Sequence, residues 1–303
     1  MSDLPGDLAL ALRLADRADS VTTAAFRRAD LRVETKADRT PVTEADREVE
    51  AAIRRVLAED RPDDQVLGEE FGDTAGPEGD SAAGTEGDSA AGPEAGRRNG
   101  PNRPNGPNRR WIIDPIDGTK NFVRRNPVWA TLLALEVDGQ VAVGVVSAPA
   151  LGRRWWAARG HGAWVGTPAT IAEGDDADQS GARRIEVSKV ADLADAHLSG
   201  TTVSDWDDWG GPGAYVDLAL RCYADRNFGD FWSHMLVAEG VCDIGLDPVV
   251  SLWDLAPLQV IVEEAGGRFT DFAGVARPDG GSAISSNGLL HDQALSVLTA
   301  RGS

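Results

Sequence analysis

The sequence predicts a mixed fold of the α/β or α+β class, with helices layered on β-sheet. Three observations predict it. Apolar residues recur at helical spacing over 8–28 and again from Thr43 to about Glu59. Short apolar runs rich in β-formers follow at 111–113, 131–137 and 140–147. Strand-like and helical patterns then alternate through the rest of the chain, as in packed α and β layers. The chain has 303 residues, 42% hydrophobic and 26% charged, enough for one large domain or two packed ones.

Along the first helix, Leu8, Ala11, Leu12, Ala15, Ala18, Thr22, Ala25 and Phe26 form one stripe, with Arg13, Asp16, Arg17 and Arg27 off it. Thr43-Glu44-Ala45-Asp46 resembles a helix N-terminal cap, and Val49, Ala52, Ile53, Val56 and Leu57 continue that helix. Val66-Leu67 is a short buried strand running into Gly68-Glu69-Glu70. Residues 72–110 repeat themselves. PEGDSAAG at 77–84 returns as TEGDSAAG at 85–92, and NGPNR occurs at 99–103 and 105–109. Such Gly/Pro/Asn/Asp-rich sequence cannot bury a core, so a disordered surface insertion is expected. Order resumes at Trp111-Ile112-Ile113, a strand ending in Asp114. Asp138-Gly139 between two β-rich runs predicts a type I′ hairpin. Strands are expected at 154–158 and 162–165, followed by a polar loop at 168–183. That loop suggests two packed subdomains, an N-terminal α+β unit at 1–182 and a C-terminal unit at 183–303. The latter is expected to hold strands at 185–187, 197–202 and 241–245, a helix over 231–239, and a last long helix over 254–265 that ends at Gly266-Gly267.

The formal net charge is −19, from 30 basic and 49 acidic residues. Such a surface repels nucleic acid and anionic membranes, so neither is expected as a partner. It attracts divalent cations and tolerates a cationic substrate, or simply maintains solubility. Cys222 and Cys242 lack metal-ligand spacing and read as core residues of a protein in a reducing compartment. His161, His197, His234 and His291 are scattered and read as structural or exposed. No signal peptide or membrane-length apolar run is visible, so a cytoplasmic location is expected.

The chemistry concentrates at Asp114-Pro115-Ile116-Asp117-Gly118-Thr119. Two carboxylates flank a proline-stiffened turn at the end of an apolar strand, and Gly118 permits a tight bend. Oxygen ligands of this kind suit Mg²⁺, and the Gly118-Thr119 turn suits phosphate. Glu69-Glu70 form a second acidic pair, Asp46 a third candidate and Asp254 a fourth. Each has a purely structural alternative: solvated loop acids, an acid in a helix's first turn, and an N-cap. Neither a Ser–His pairing nor GxGxxG appears, so covalent catalysis and dinucleotide binding have no support.

Together these residues resemble the inositol monophosphatase-like family. The resemblance rests on WIIDPIDGTKNF at 111–122 and on Trp253-Asp254-Leu255-Ala256 with Glu264-Ala265-Gly266-Gly267, in that order, with Gly68-Glu69-Glu70 upstream. It runs from about Lys36 to Asn287. It implies a layered αβαβα sandwich, a homodimer, and phosphate-ester hydrolysis by a water activated at two or three Mg²⁺ ions. Glu69, Asp114, Asp117, Asp254 and the Ile116 carbonyl are implied as metal ligands, with Asp254 supplied by the C-terminal unit. Gly118 and Thr119 are implied to bind phosphate. Thr119, supported by Asp46, and Glu69 are implied to orient the water, with Glu70 behind them. Within the family, 122–146, 147–160, 228–240 and 281–291 look most like the histidinol-phosphate phosphatases of the actinobacterial type. That likeness implies histidinol phosphate as substrate, with Asp230 and Asp247 facing its ammonium and imidazole, or else placed at element ends without a ligand. An inositol phosphate or another small phosphate ester is the alternative substrate, and a non-enzymatic binding module the alternative class.

Overall fold

The computed structural model describes residues 3–28, 32–35, 41–74, 107–168 and 181–300. Most of the repetitive insertion (75–106) and most of the polar loop (169–180) lie outside the described residues. The disorder expected over 72–110 therefore falls mostly on residues outside the described ones.

An eight-stranded sheet forms the first β layer. Its order is β10-β9-β8-β7-β6-β5-β3-β4, with β3 (Gln65–Gly68), β4 (Gly72–Thr74), β5 (Arg109–Asp117), β6 (Ala130–Val137), β7 (Gln140–Ala148), β8 (Arg153–Ala158), β9 (Ala163–Gly166) and β10 (Arg183–Ile185). Among the described residues of this sheet only β3 and β5 pair in parallel. A separate short ladder joins β1 (Val33–Thr35) to β2 (Pro41–Thr43). The expected hairpin joins β6 and β7, with φ of 53° at Asp138 and 81° at Gly139, the left-handed geometry a type I′ turn requires.

Residue alternation along these strands feeds two cores. Trp111, Ile113, Leu133 and Leu135 face α1 (Leu4–Arg27) and α2 (Glu44–Asp60), meeting Leu10, Leu14, Val49 and Ile53. Ile112, Leu132 and Ala134 face the other way, onto α6 (Asp230–Ala238) and α7 (Leu252–Glu264), meeting Phe231, Met235, Leu258 and Val260. The period of two therefore carries β5 and β6 through both interfaces, and each large apolar side chain so buried contributes roughly 1.5–3 kcal/mol. At Gly144 of β7 an added Cβ would lie 2.6 Å from Val260 Cγ1 and 2.7 Å from the Pro257 carbonyl oxygen, so glycine is what lets α7 sit down on the sheet.

Behind α6 and α7 lies a five-stranded sheet in the order β12-β11-β13-β15-β14. It comprises β11 (His197–Ser199), β12 (Ala224–Asp225), β13 (Ile244–Asp247), β14 (Arg268–Thr270) and β15 (Ala283–Ser286). Its far face is covered by α4 (Val203–Trp209), α5 (Gly213–Ala219) and α8 (His291–Thr299), around Trp206, Tyr215, Ile244 and Ile284. A five-residue α3 (Thr119–Val123) follows β5. The layers are helix, sheet, helix, sheet, helix, the αβαβα sandwich expected.

Several local expectations need correcting. The strand at Trp111 does not stop at Asp114 but runs to Asp117, because a register shift between those residues lets pairing with β6 resume at Ala130. Gly72–Thr74 and Arg109-Arg110, placed in the insertion by composition, are strand residues held by β3 and β6. Arg183, placed in the polar loop, pairs with Val165. The strand at 241–245 is shifted to Ile244–Asp247, which makes Asp247 its last residue. The helix at 254–265 starts earlier, at Leu252, and is not the last, since α8 follows it. Pro257 lies inside that helix. Cys242 is buried as expected, whereas Cys222 is only half-buried.

The described residues that flank the insertion lie at the end of the sheet remote from the predicted acids. Thr74 pairs with Val66, and Arg110 pairs with Gln65, both at the start of β3. Gly68, next to Glu69, lies at the other end of that strand. Among the described residues no helix is long and apolar enough to cross a membrane.

Candidate active site

Asp114 and Asp117 are three residues apart on one strand. In regular pleating an odd spacing sends side chains to opposite faces. The register shift at Pro115-Ile116 re-aims one of them, the usual effect of a bulge. Pro115 also accepts, through its carbonyl, the buried Thr131 hydroxyl at 2.8 Å, and Ile116 packs with Phe122 and Trp129. Both carboxylates then converge with Asp254. Carboxylate oxygens of Asp114, Asp117 and Asp254 lie within 4.8 Å of one another.

Asp254 reaches this point from α7. Ser251 is the N-cap, and Asp254, three residues on, accepts the Ser251 N–H at 2.7 Å in a capping box. Its cap role and its place in the cluster are therefore compatible, since one oxygen serves the cap. Asp46 does the same on α2: it closes a capping box with Thr43, accepting the Thr43 N–H at 2.8 Å and hydroxyl at 2.6 Å. Its other oxygen faces the Thr119 hydroxyl at 3.4 Å. Thr119 also donates to the Ile116 carbonyl at 2.9 Å, so one lone pair of that carbonyl is already engaged.

Asp114, Ile116, Asp117, Thr119 and Asp254 line a cleft of about 290 Å³, together with Glu69, Gly118, Lys120, Thr201, Asp205, Asp230, Asp247 and Trp253, while Asp46 stands behind Thr119. Glu69 lines it outside the tight three-carboxylate group, at the turn after β3, with its N–H donating to the Ile113 carbonyl at 3.2 Å. Glu70 follows, its N–H bound to the Glu50 carboxylate. A wider hollow of about 620 Å³ on α1 holds one carboxylate, Asp19, which already pairs with Arg154 at 2.7 Å, so the chemistry belongs to the smaller cleft.

The acids are electrostatically loaded. Burial, then repulsion from Glu69, Asp117 and Asp254, pushes Asp114 well above the usual carboxylate range. Asp117 is pushed the same way by burial and by Asp230 and Asp254, against the Phe231 N–H that donates to it at 2.9 Å. Asp254 rises to about 6 and Asp46 to about 6, in each case chiefly through burial. Asp230 rises to about 7, again through burial first and then Asp247. Carboxylates crowded into one desolvated spot suit a divalent cation, which replaces mutual repulsion by shared attraction. The donor set is all oxygen and fits Mg²⁺.

Asp230 and Asp247 stand in the same cleft. Asp230 opens α6 with a left-handed φ of 49° and accepts the Asn121 side-chain N–H at 2.8 Å. Gly118, at φ 80°, would bring an added Cβ 3.4 Å from Asp230 and 2.9 Å from the Val128 carbonyl, so a side chain there is excluded. Asp247 accepts from His234 Nε2 at 2.8 Å, and His234 Nδ1 meets Ser285 at 2.8 Å. Three participants were not singled out from sequence. Asp205, tied to Thr201 at 2.8 Å, belongs to a segment without a motif. His234 reads as an isolated histidine, and Glu50 as an ordinary helix acid.

The profile of the inositol monophosphatase family matches residues 6–301. The chain belongs to that family. Two of the curated relatives named histidinol-phosphatase match at 45% identity or more. One, from Mycobacterium tuberculosis, is 49% identical over 97% of this chain and 98% of its own length. The other, from Streptomyces coelicolor, is 45% identical over 99% and 100%. Among solved structures, an inositol monophosphatase from Thermotoga maritima matches with a TM-score of 0.74 at 29% identity, covering 97% of both chains. As a member of the inositol monophosphatase family the protein is a phosphatase, an enzyme acting on small phosphate esters. The family's layered fold is the one described above.

Proposed function

We propose that the protein is a Mg²⁺-dependent histidinol-phosphatase, converting L-histidinol phosphate and water to L-histidinol and phosphate. The observation that carries the metal chemistry is the convergence of Asp114, Asp117 and Asp254 within 4.8 Å in one cleft. Glu69, Asp114, Asp117, Asp254 and the Ile116 carbonyl would hold two or three Mg²⁺ ions. When bound, Mg²⁺ supplies Lewis-acid polarisation of phosphoryl oxygens and acidity for a water. The chain's own groups do the rest. Thr119, whose hydroxyl lies between Asp46 and the Ile116 carbonyl, orients the attacking water, and Glu69 aids it. Asp46, with its raised proton affinity, is placed to take a proton passed through Thr119. Gly118 and Thr119 cradle the phosphate, and Glu70 braces Glu69.

The substrate assignment is supported by the relatives bearing that name and by a second tier of acids, Asp230 and Asp247, in the same cleft. Histidinol phosphate carries an ammonium and an imidazole, which acidic groups attract. A homodimer, which the family resemblance implies, and a cytoplasmic location, which the sequence composition suggests, belong to the same proposal. The test is phosphate release from L-histidinol phosphate and myo-inositol 1-phosphate, each with Mg²⁺ and with EDTA. A Mg²⁺-dependent preference for histidinol phosphate, with a raised KM in D247N or D230N, is the expected result. Preference for the inositol ester would overturn the substrate while leaving the metal chemistry. No turnover of either would overturn both.

A further inference from the structure

Asp46, Glu50 and Arg54 sit at i, i+4 and i+8 on α2, so they share one face of that helix. Asp46, at its start, faces Thr119. The next two meet the segment that carries Glu69. Glu50 is fully buried, 0% exposed, in the middle of a helix otherwise packed through Val49 and Ile53. Its Oε2 accepts the Glu70 N–H at 2.8 Å, and its Oε1 accepts the Phe71 N–H at 3.3 Å and Arg54 Nε at 2.7 Å. Arg54 then reaches both sides of the same turn, donating to the Gly72 carbonyl at 2.6 Å and the Val66 carbonyl at 3.4 Å. An added Cβ on Gly68 would lie 2.0 Å from Glu50 Oε1, so the carboxylate occupies the space a side chain would need.

We propose that Glu50 and Arg54 are positioning residues that lock the 66–72 turn around Glu69, presetting its carboxylate for the metal; this rests on the reading of Glu69 as a Mg²⁺ ligand. A stability role alone explains the pair poorly. A buried ion pair is often no more stabilising than apolar side chains of the same volume. What apolar side chains cannot do is accept two consecutive backbone N–H groups directly after Glu69. Arg54 neutralises a buried carboxylate that would otherwise add to the acidic charge of the cleft. Its contacts with Val66 and Gly72 also fix the segment on both sides of Glu69, between the site and the start of the insertion. Partners one step removed from a metal ligand typically change metal affinity or activity 10–100-fold when removed.

The experiment is a Mg²⁺ titration of the full chain, read by thermal stabilisation and by calorimetry, for wild type, E50A, E50Q and a control, D7N. Asp7 is a buried carboxylate paired with Arg109 and Arg61 at the opposite end of β5, away from the cleft. E50A should raise the Mg²⁺ midpoint about ten-fold or more. E50Q, which keeps one acceptor oxygen, should fall between E50A and wild type. D7N should lower the metal-free Tm and leave the Mg²⁺ midpoint unchanged. An E50A protein with a lowered metal-free Tm and the wild-type midpoint would overturn the positioning role and leave a structural one. If E50A does not fold, E50Q is read by the same criterion. A wild type without any Mg²⁺ response would overturn this proposal together with the metal reading, whereas a responding wild type matched by its variants would overturn this proposal alone.

Discussion

Replacing Asp254 by Asn should make the metal-free protein more stable while abolishing its response to Mg²⁺. Burial lifts the Asp254 carboxyl from 3.8 to about 6 in the folded protein. An acid that holds its proton more tightly when folded contributes a folding advantage below its unfolded pKa. That advantage is lost as pH rises from the unfolded value to the folded one, and the deficit is constant above. A rise from 3.8 to about 6 corresponds to about 3 kcal/mol at most, developed between about pH 4 and pH 6. The figure belongs to the cluster as a whole, because Asp114 shares a proton-dependent hydrogen bond with Asp254 and the two titrate together. Asparagine keeps the capping-box contact, since its carbonyl oxygen can accept the Ser251 N–H now bound at 2.7 Å. The assay is thermal unfolding of wild type and D254N from pH 4 to pH 8, in EDTA and in Mg²⁺. In EDTA the two should coincide near pH 4 and separate as pH rises, with D254N ahead by on the order of 5 °C at pH 8. In Mg²⁺ the wild type should recover with rising pH, because the ligands bind metal only when deprotonated, and D254N should not. A D254N protein no more stable than wild type in EDTA at pH 8 would refute the reasoning.

Asp117→Asn should leave the circular dichroism spectrum unchanged, because an amide oxygen can still accept the Phe231 N–H, but should cut phosphate release about 10²–10³-fold; near-normal turnover would remove Asp117 from the metal set. Gly118→Ala combines a φ of 80° with a Cβ 2.9 Å from the Val128 carbonyl, so it should lower stability by about 1–3 kcal/mol in denaturant melts and reduce turnover by displacing Thr119. Replacing 75–106 by a six-residue Gly/Ser linker should hold kcat and KM within about two-fold, since loop closure depends weakly on length and the flanking strands end beside Gln65 and Val66. A large loss of turnover would show that the insertion acts on the site.

Legibility from sequence followed the range of the interactions. The Asp-Gly hairpin and the stripe of α1 depend on neighbours within a few residues, and both were visible. The acids of 114–119 and Asp254 were visible through motif spacing, although spacing alone left Asp254 open as a cap, and the structure has it in a capping box as well as in the cluster. What stayed hidden is long-range. Glu50 sits among residues that look like one polar stripe of a surface helix, and only its approach to Gly68 and Glu70, about twenty positions on, buries it. His234 reaches Asp247 and Ser285 across three elements, and no local pattern announces that. Composition misled at the insertion's margins, where Gly72–Thr74 and Arg109 are strand residues because β3 and β6 offer them partners. The C-terminal α8 was missed because its short stripe, Ala294 and Leu298, is buried only against the second sheet's core.

The same long-range assembly explains why so many acids can share one cleft in a folded chain. α6 and α7 both begin there, and helix N-termini favour negative charge. The first donates its Phe231 N–H to Asp117, and the cap of the second donates the Ser251 N–H to Asp254. Asp114 receives the Ile116 N–H at 3.0 Å from its own strand. Each acid of the cluster thus has one backbone donor, which fixes its orientation. One donor apiece does not cancel the burial and repulsion, since Asp114 and Asp117 stay well above the usual carboxylate range and Asp254 near 6. The remaining oxygens point the deficit at a single place. A fold selected for stability alone would have replaced these groups with amides of the same shape. Their presence, in a cleft that also holds Thr119 and the Gly118 turn, leaves a concentrated negative charge that the proposed Mg²⁺ would relieve.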